Sequence, residues 1–241
     1  MSMFPNTNRQ YPMTYEAEGA GSTAITAFFN AVYAWMAAGL ALTAVVAWFV
    51  STQPALQQVF LGGPVMWICV IAEFALVITV ASAVQRLSAS AATALFLLYA
   101  ALNGLTLSAI FLLYAHAVLA GAFIVSAGMF GAMSVYGHVT HRDLTRFGSL
   151  LFMALIGVVL ASVVSIFWQN SMLSTIMNYV GVLVFVGLTA YDTQRLRQLA
   201  IATQGNAAMA ARYSVNGALS LYLDFLNLFL FLVQIMSDRR R

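Results

Sequence analysis

The chain has 241 residues, of which 62% are hydrophobic and 7% are charged, and its mean hydropathy is +0.90. Because a soluble domain has about 25% charged residues, this composition predicts an integral membrane protein with little room for a soluble domain. The net charge of +3 comes from arginines without any lysine, and a basic balance this small, spread over short loops, indicates membrane topology and argues against nucleic-acid binding.

The first 22 residues are mostly polar and lack the basic start and short apolar core of a signal peptide. We expect residues 1–22 to form a polar tail that stays in the cytoplasm. A transmembrane domain is expected over residues 23–236, followed by a short basic tail at residues 237–241.

Seven apolar runs follow the tail, and each is close to the ~20 residues that a helix needs to cross a bilayer. The sequence therefore predicts an all-α integral membrane protein with about seven transmembrane helices. In chain order the runs cover residues 23–50, 65–84, 91–114, 118–136, 148–167, 172–193 and 216–234.

The arginines predict the orientation of the chain. Those ahead of the last run fall in the tail and in the loops after runs two, four and six: Arg9, Arg86, Arg142, Arg146, Arg195, Arg197 and Arg212. The positive-inside rule then makes the N-terminus and these loops cytoplasmic, and parity makes the C-terminus external. The three arginines at residues 239–241 oppose this placement. The alternative is a last segment that dips into the membrane and returns.

The seventh run carries a stripe of polar residues within an apolar segment. Asn216, Ser220, Asp224, Asn227 and Gln234 fall within about a quarter of the circumference of a helix. A carboxylate in the middle of a membrane helix is costly unless it is paired, hydrated or protonated. We therefore expect this helix inside the bundle, with its polar stripe against protein or a water-filled path.

A second aspartate, Asp192, lies near the cytoplasmic end of the sixth run. If that helix continues to about Leu199, Asp192 reaches a depth comparable with that of Asp224. Two carboxylates within hydrogen-bond reach would share one proton, and their titration would belong to the pair, so that they could act as a pH switch. The alternative is that each aspartate caps a helix or bonds a neighbouring backbone group.

Other polar residues in the runs have two possible roles each. Glu73 is either protonated and bonded to another helix or an ion ligand in an aqueous cavity, and Arg86 is either an interfacial anchor or a partner of Asp192. Asn103 and Thr106 share a helix face and either bond neighbouring helices or line a path.

Two further patterns are weaker. His138 and His141, with Asp143 nearby, have the i, i+3 spacing of metal ligands, but two histidines in a wet loop are slight evidence for a metal. Small residues spaced for close helix contact are predicted to serve packing, and they are Gly128 with Gly131 and Gly181 with Gly187.

Several classes of protein are excluded by what the sequence lacks. A retinal-type receptor needs a Schiff-base lysine, and the chain has no lysine. The sequence contains no G-x-S-x-G, no H-E-x-x-H, no P-loop and no dinucleotide fingerprint. We therefore expect that the protein is not an enzyme and holds no cofactor.

Three segments resemble the signature segments of the Bax inhibitor-1 family, in its bacterial YccA-like branch. They are GLTAYDTQ at residues 187–194, ALSLYLDFLNLF at residues 218–229 and NGLTLS at residues 103–108. The resemblance extends from the first helix to the last. It implies a seven-helix fold in which the other six helices enclose the seventh, in a bacterial inner membrane.

The resemblance also implies a pH-gated calcium leak. The paired aspartates of the family fall on Asp192 and Asp224, as pH sensor and gate; the acidic residue of helix two matches Glu73, and the latch arginine matches Arg86. Calcium would be held transiently near the aspartate pair, because a leak needs weak sites that release the ion. Candidate residues along the ion pathway are Glu73, Asn216, Ser220, Asn227, Asn103 and Thr106.

Two alternatives belong to other classes. Bacterial relatives in this branch are linked to a membrane-bound AAA-type protease, which could grip the N-terminal tail, so the protein could be a substrate or modulator of that protease without transport activity. A proton-coupled carrier is the third possibility, because the same acids could relay protons. The expected partners are the lipid bilayer, calcium ions and protons in the first case and the protease in the second.

Overall fold

The fold is described by a computed structural model over residues 13–61, 63–83, 87–168 and 170–238. These residues form eight α-helices and no strand. The first twelve residues of the predicted tail, Arg86 and the arginines at 239–241 lie outside the described residues. The helices are α1 Met13–Thr52, α2 Pro54–Leu61, α3 Pro64–Ala83, α4 Ala89–Leu113, α5 His116–Val139, α6 Thr145–Phe167, α7 Ser171–Ala202 and α8 Ala207–Asp238.

Six of these helices are long and apolar enough to cross a membrane, and the total rises to seven if the bent pair of α2 and α3 is one span. The two helices of that pair meet at an angle of 69°. Pro64 begins α3, a position where a proline costs no helix hydrogen bond. The all-α membrane fold expected from the apolar runs is therefore confirmed.

The connections between the long helices are short, and side chains satisfy several free backbone groups at the helix starts. The side chain of Ser88 accepts a hydrogen bond from the N–H of Ala91 at the start of α4. The side chain of Asn170 accepts hydrogen bonds from Met172 and Leu173 at the start of α7. Such caps fix where each helix begins.

The sixth and seventh predicted helices are longer than their apolar runs. α7 continues past residue 193 to Ala202, and α8 begins at Ala207, so the polar segment 194–212 is almost entirely helical. Its glutamines, arginines and alanines are good helix formers, and the chain turns back only at Gly205, whose φ of 83° suits glycine. α1 likewise begins at Met13, well ahead of its apolar run.

α8 occupies the centre of the bundle, as expected for the seventh span. Half of the residues in an 18-residue apolar stretch of α8 are buried, whereas only 11% are buried in the corresponding stretch of α6. It packs directly against α1, α4, α5 and α7, and α3 and α6 face it across cavities.

Tyr222 anchors α8 in this position. Its side chain is fully buried, and its hydroxyl lies 2.6 Å from the hydroxyl of Thr43 on α1. Thr43 in turn donates a hydrogen bond to the carbonyl of Ala100 on α4. The rings of Phe96 and Tyr99 meet the Tyr222 ring edge-on. One tyrosine thus joins three helices.

The predicted packing role of the glycines is right for one pair and wrong for the other. A Cβ added at Gly181 would meet the ring of Phe231, and one at Gly187 would meet Leu151, so both glycines lie at close helix contacts. A Cβ added at Gly128 or Gly131 would meet nothing within 4 Å. These two residues therefore lie at no close helix contact.

Candidate functional site

Asp192 on α7 and Asp224 on α8 line the same cavity, which has a volume of about 530 Å³ and lies between α6, α7 and α8. The other polar side chains on its wall are those of Ser149, Tyr191, Arg195, Ser220 and Asn227. The structure thus brings the two predicted gate residues together with Ser220 and Asn227 of the polar stripe.

The extended helices explain how the two carboxylates reach one cavity. α7 and α8 run side by side and in opposite directions from the turn at residues 203–206. Counting ~1.5 Å per residue from that turn places Asp224 roughly 10 Å deeper than Asp192. Both side chains nevertheless line the one cavity, which connects them.

The two carboxylates have different surroundings. The residue Asp224 is only 4% exposed, and its Oδ2 has no hydrogen-bond partner among the described residues. The negative charge of Asp192 acts on it, whereas Asp192 is attracted by the guanidinium of Arg195. A buried carboxylate oxygen without a partner needs a proton, a cation or water. Over the described residues, the deeper aspartate is therefore the one whose charge is left uncompensated.

Glu73 lies in a second cavity of about 290 Å³, formed by α3, α4, α6, α7 and α8. Its carboxylate accepts a hydrogen bond of 2.9 Å from the hydroxyl of Thr106 on α4. The two cavities adjoin, because they share the lining residues Leu155, Phe185, Leu223 and Asn227. Asn227 is the polar residue among these four. Its amide nitrogen donates to the carbonyl of Leu223 in its own helix.

The other predicted pathway residues lie elsewhere. Asn103 is buried and donates to the carbonyl of Tyr99 one turn earlier in its own helix, and neither it nor Asn216 lines the two acidic cavities. The predicted latch, Arg86, lies outside the described residues.

The described residues offer no strong metal site. They contain no group of three or more His, Cys, Asp and Glu residues that could hold an ion. The sequence placed both histidines in a loop, but His138 lies in the last turn of α5. Asp143, in the loop that follows, accepts hydrogen bonds from the side chain and the backbone N–H of Thr145, and these bonds lower the pKa of its carboxyl. Its carboxylate therefore serves the start of α6. The sparse acids of the two cavities suit an ion held briefly, not a tight cage.

Sequence reasoning missed a residue that connects two walls of the aspartate cavity, Gln194. The Nε2 of Gln194 donates to the carbonyl of Arg142 at 2.8 Å, and its Oε1 accepts from the N–H of Leu144 at 2.9 Å. These bonds tie α7 to the loop before α6, and the ring of Tyr191 packs against Gly148 just beyond. A glutamine after an aspartate gives no sequence signal for such a clamp.

A family model and several known proteins match most of this chain. Residues 25–241 match the family model described as inhibitor of apoptosis-promoting Bax1. An inner membrane protein of Escherichia coli, YbhL, is 51% identical over 212 residues, which are 87% of this chain and 90% of that protein. An uncharacterized protein of Deinococcus radiodurans is 47% identical over 217 residues, covering 89% and 92% of the two chains.

A more distant relative is an uncharacterized membrane protein of Streptococcus pyogenes. It is 37% identical over 212 residues, which are 87% of this chain and 92% of that protein. The names of the Escherichia coli and Streptococcus pyogenes relatives refer to membrane proteins, and neither these names nor the family description names a catalysed reaction.

Proposed function

Since this chain belongs to the Bax inhibitor-1 family of membrane proteins, we propose that it is a pH-sensitive calcium leak channel gated by Asp192 and Asp224. The observation that carries the proposal is the shared cavity, in which the deeper carboxylate oxygen has no hydrogen-bond partner among the described residues. Such an oxygen is where a proton and a cation would compete.

Competition between a proton and a cation makes the pair responsive to pH. In one low-dielectric cavity, two negative charges repel each other. A proton taken up by one carboxylate therefore stabilises the ionised form of the other. When both are ionised, the cavity attracts a divalent cation and water. When the pair holds a proton, that attraction falls. The pair therefore couples the proton concentration to the occupancy of the cavity.

The adjoining cavities supply the rest of the route. An ion that leaves the aspartate cavity would pass Asn227 and meet the carboxylate of Glu73, which Thr106 orients. The two cavities together offer few oxygen ligands, whereas calcium prefers six to eight, so the ion would keep much of its water. Weak binding of this kind allows an ion to leave as readily as it enters.

We place the protein in the bacterial inner membrane, because its relative from Escherichia coli is named as an inner membrane protein. The arginines in the tail and around alternate connections, three of them within the ends of α7 and α8, support a cytoplasmic N-terminus and cytoplasmic connections after the second, fourth and sixth spans. In this orientation Arg195 lies at the cytoplasmic mouth of the aspartate cavity.

The proposal is tested by calcium flux into dye-loaded liposomes from pH 6 to 8, with the parent, Asp224→Asn and Asp238→Asn. Asp238 ends α8 and is exposed, so its variant makes the same chemical change outside the cavity. We expect a pH-dependent flux for the parent and the Asp238 variant, and a changed flux without that dependence for Asp224→Asn.

Equal fluxes for the parent and Asp224→Asn over this range would refute the gate. A parent that passes no calcium at any pH would refute the channel itself. The modulator of a membrane-bound protease would then become the working hypothesis, and deletion of the N-terminal tail would test it.

A further inference from the structure

A crevice of about 490 Å³ separates α1 from α5 and shares no lining residue with the two acidic cavities. α1 packs on α4, α7 and α8, and α5 packs on α7 and α8, but over the described residues the backbones of α1 and α5 stand apart, and side chains such as Tyr33 with Ser134 and Phe29 with His138 connect them. The proposed ion path makes no use of this space.

The floor of the crevice is a chain of hydrogen-bonded hydroxyls. Thr193 donates to the carbonyl of Thr189, so it can only accept from Ser134, at 3.1 Å. Ser134 must then accept from Tyr33, at 2.6 Å. The hydroxyl protons of Tyr33, Ser134 and Thr193 are therefore all used in these bonds. The hydroxyl oxygen of Tyr33 can only accept a hydrogen bond from a ligand in the crevice. Donors to a ligand must come from the rim.

The crevice has a polar residue on its rim and apolar walls, which is the combination that an amphipathic ligand needs. Asn30 is exposed on the rim and makes no side-chain hydrogen bond to another described residue. A polar amide that faces lipid chains is costly. The walls are apolar, with Phe29 and Phe130 buried and Val135 64% exposed toward the lipid side.

Gly131 has open space beside it. A Cβ added at this position would meet nothing within 4 Å, although Gly131 lines the crevice. Glycine within a helix costs about 0.5–1 kcal/mol relative to alanine, so an interior glycine usually has a packing reason. Here no protein atom supplies that reason. The space beside Gly131 is the feature that a ligand would explain.

The crevice lies at the arginine-rich end of the bundle. His138 lines it one residue before the end of α5, and the positive charge of Arg197 on α7 acts on His138. None of the residues that line the crevice is acidic. The positive-inside rule makes this the cytoplasmic side, where basic pockets between membrane helices bind anionic lipid head groups.

We propose that the crevice between α1 and α5 binds an anionic phospholipid of the cytoplasmic leaflet. Its phosphate lies near His138 and Arg197, the amide of Asn30 donates to its ester oxygens, and an acyl chain lies beside Gly131 along Phe130. The lipid fills the gap between two helices whose backbones stand apart. This site is independent of the proposed ion path.

The test measures lipid retention by native mass spectrometry of the delipidated protein in detergent. The added probes are phosphatidylglycerol, phosphatidylethanolamine and free glycerol 3-phosphate. Gly131→Leu fills the crevice, and Gly128→Leu makes the same change on the same helix in open space outside it. Arg197→Gln removes the charge at the site, and Arg146→Gln removes an equal charge in the first turn of α6.

We expect the parent to retain phosphatidylglycerol in preference to the other two probes. Gly131→Leu should abolish this retention, Arg197→Gln should weaken it about fivefold, and both matched controls should behave as the parent. Equal retention of the two lipids, or retention of phosphatidylglycerol by Gly131→Leu, would overturn the site. Binding of free glycerol phosphate as strong as that of the lipid would overturn the lipid assignment. If Gly131→Leu fails to fold, the two arginine variants decide in the same way.

Discussion

At the scale of single residues, the described contacts single out Gln194 beside the candidate gate. Its side-chain amide forms hydrogen bonds with two backbone groups of the loop before α6, the carbonyl of Arg142 and the N–H of Leu144. Because α6 forms one wall of the aspartate cavity, these bonds help to set the width of the cavity mouth. The amide is a positioning group that lies two residues from Asp192.

Replacing Gln194 with methionine should therefore loosen α6. Methionine keeps the length of the side chain but makes neither hydrogen bond, so the free energy of unfolding should fall by about 1–2 kcal/mol. Thermal unfolding in detergent measures the loss, and limited proteolysis of the loop measures its exposure. Gln194→Glu keeps the acceptor for Leu144 and should lose less stability; an equal loss for the two variants would contradict the two-bond clamp.

The sequence predicts the importance of some of these residues but not of others. Asp192 and Asp224 stand out because a charge within an apolar run is costly and rare. The hydroxyl chain of Tyr33, Ser134 and Thr193 does not stand out, because such residues are common in membrane helices and bond their own backbone there. Their cross-helix partners depend on packing, which a single sequence does not record.

At the scale of helices, the sequence predicts where each span lies but not where it ends. Hydropathy marks the part of a helix inside the bilayer, and α7 and α8 both continue past their apolar runs. Their extension decides that Asp192 and Asp224 face one cavity. The short α2 and its bend into α3 were not predicted either, because a helix of eight residues carries too weak a signal.

Glycines show the same dependence on packing. Gly137 and Gly128 lie on α5, yet a Cβ at Gly137 would clash with the carbonyl oxygen of Ala190 on α7, and one at Gly128 would meet nothing. Gly137→Ala should lower the free energy of unfolding by about 1–3 kcal/mol, because the backbone of α7 must move. Gly128→Ala should raise it by about 0.5–1 kcal/mol through helix propensity.

Thermal unfolding of the two alanine variants in one detergent checks this contrast. If Gly137→Ala were as stable as Gly128→Ala, α5 and α7 would not be in close contact at Gly137. The same substitution on one helix controls for the general effect of a methyl group.

At the scale of the whole molecule, the bundle closes tightly around only part of α8. Tyr222 fixes α8 against α1 and α4, whereas α3 and α6 stand away from it and leave the two acidic cavities. The polar stripe of α8 predicted a path, and its residues Ser220, Asp224 and Asn227 do line the cavities. The distance of α3 and α6 from α8 was not predictable, because it depends on how these two outer helices pack against the rest of the bundle.

Asn227 lies at the junction of the cavities and should control the connection between them. Asn227→Leu places an apolar group there while leaving both aspartates intact, so calcium flux into liposomes should be largely lost. Asn216→Leu makes the same change on the same polar stripe, outside the lining of either cavity, and should retain the flux of the parent. Similar fluxes for the two variants would show that ions do not cross the junction.

The central claim is that Asp192 and Asp224 act as one gate, and a double-mutant cycle of the pH dependence of calcium flux tests it most directly. The parent, Asp192→Asn, Asp224→Asn and the double variant would be compared in dye-loaded liposomes from pH 6 to 8. If the carboxylates work as a coupled pair, each single variant should lose most of the pH dependence, and the double variant should lose little more. Independent, additive effects of the two substitutions, or a double variant with the pH dependence of the parent, would contradict the account.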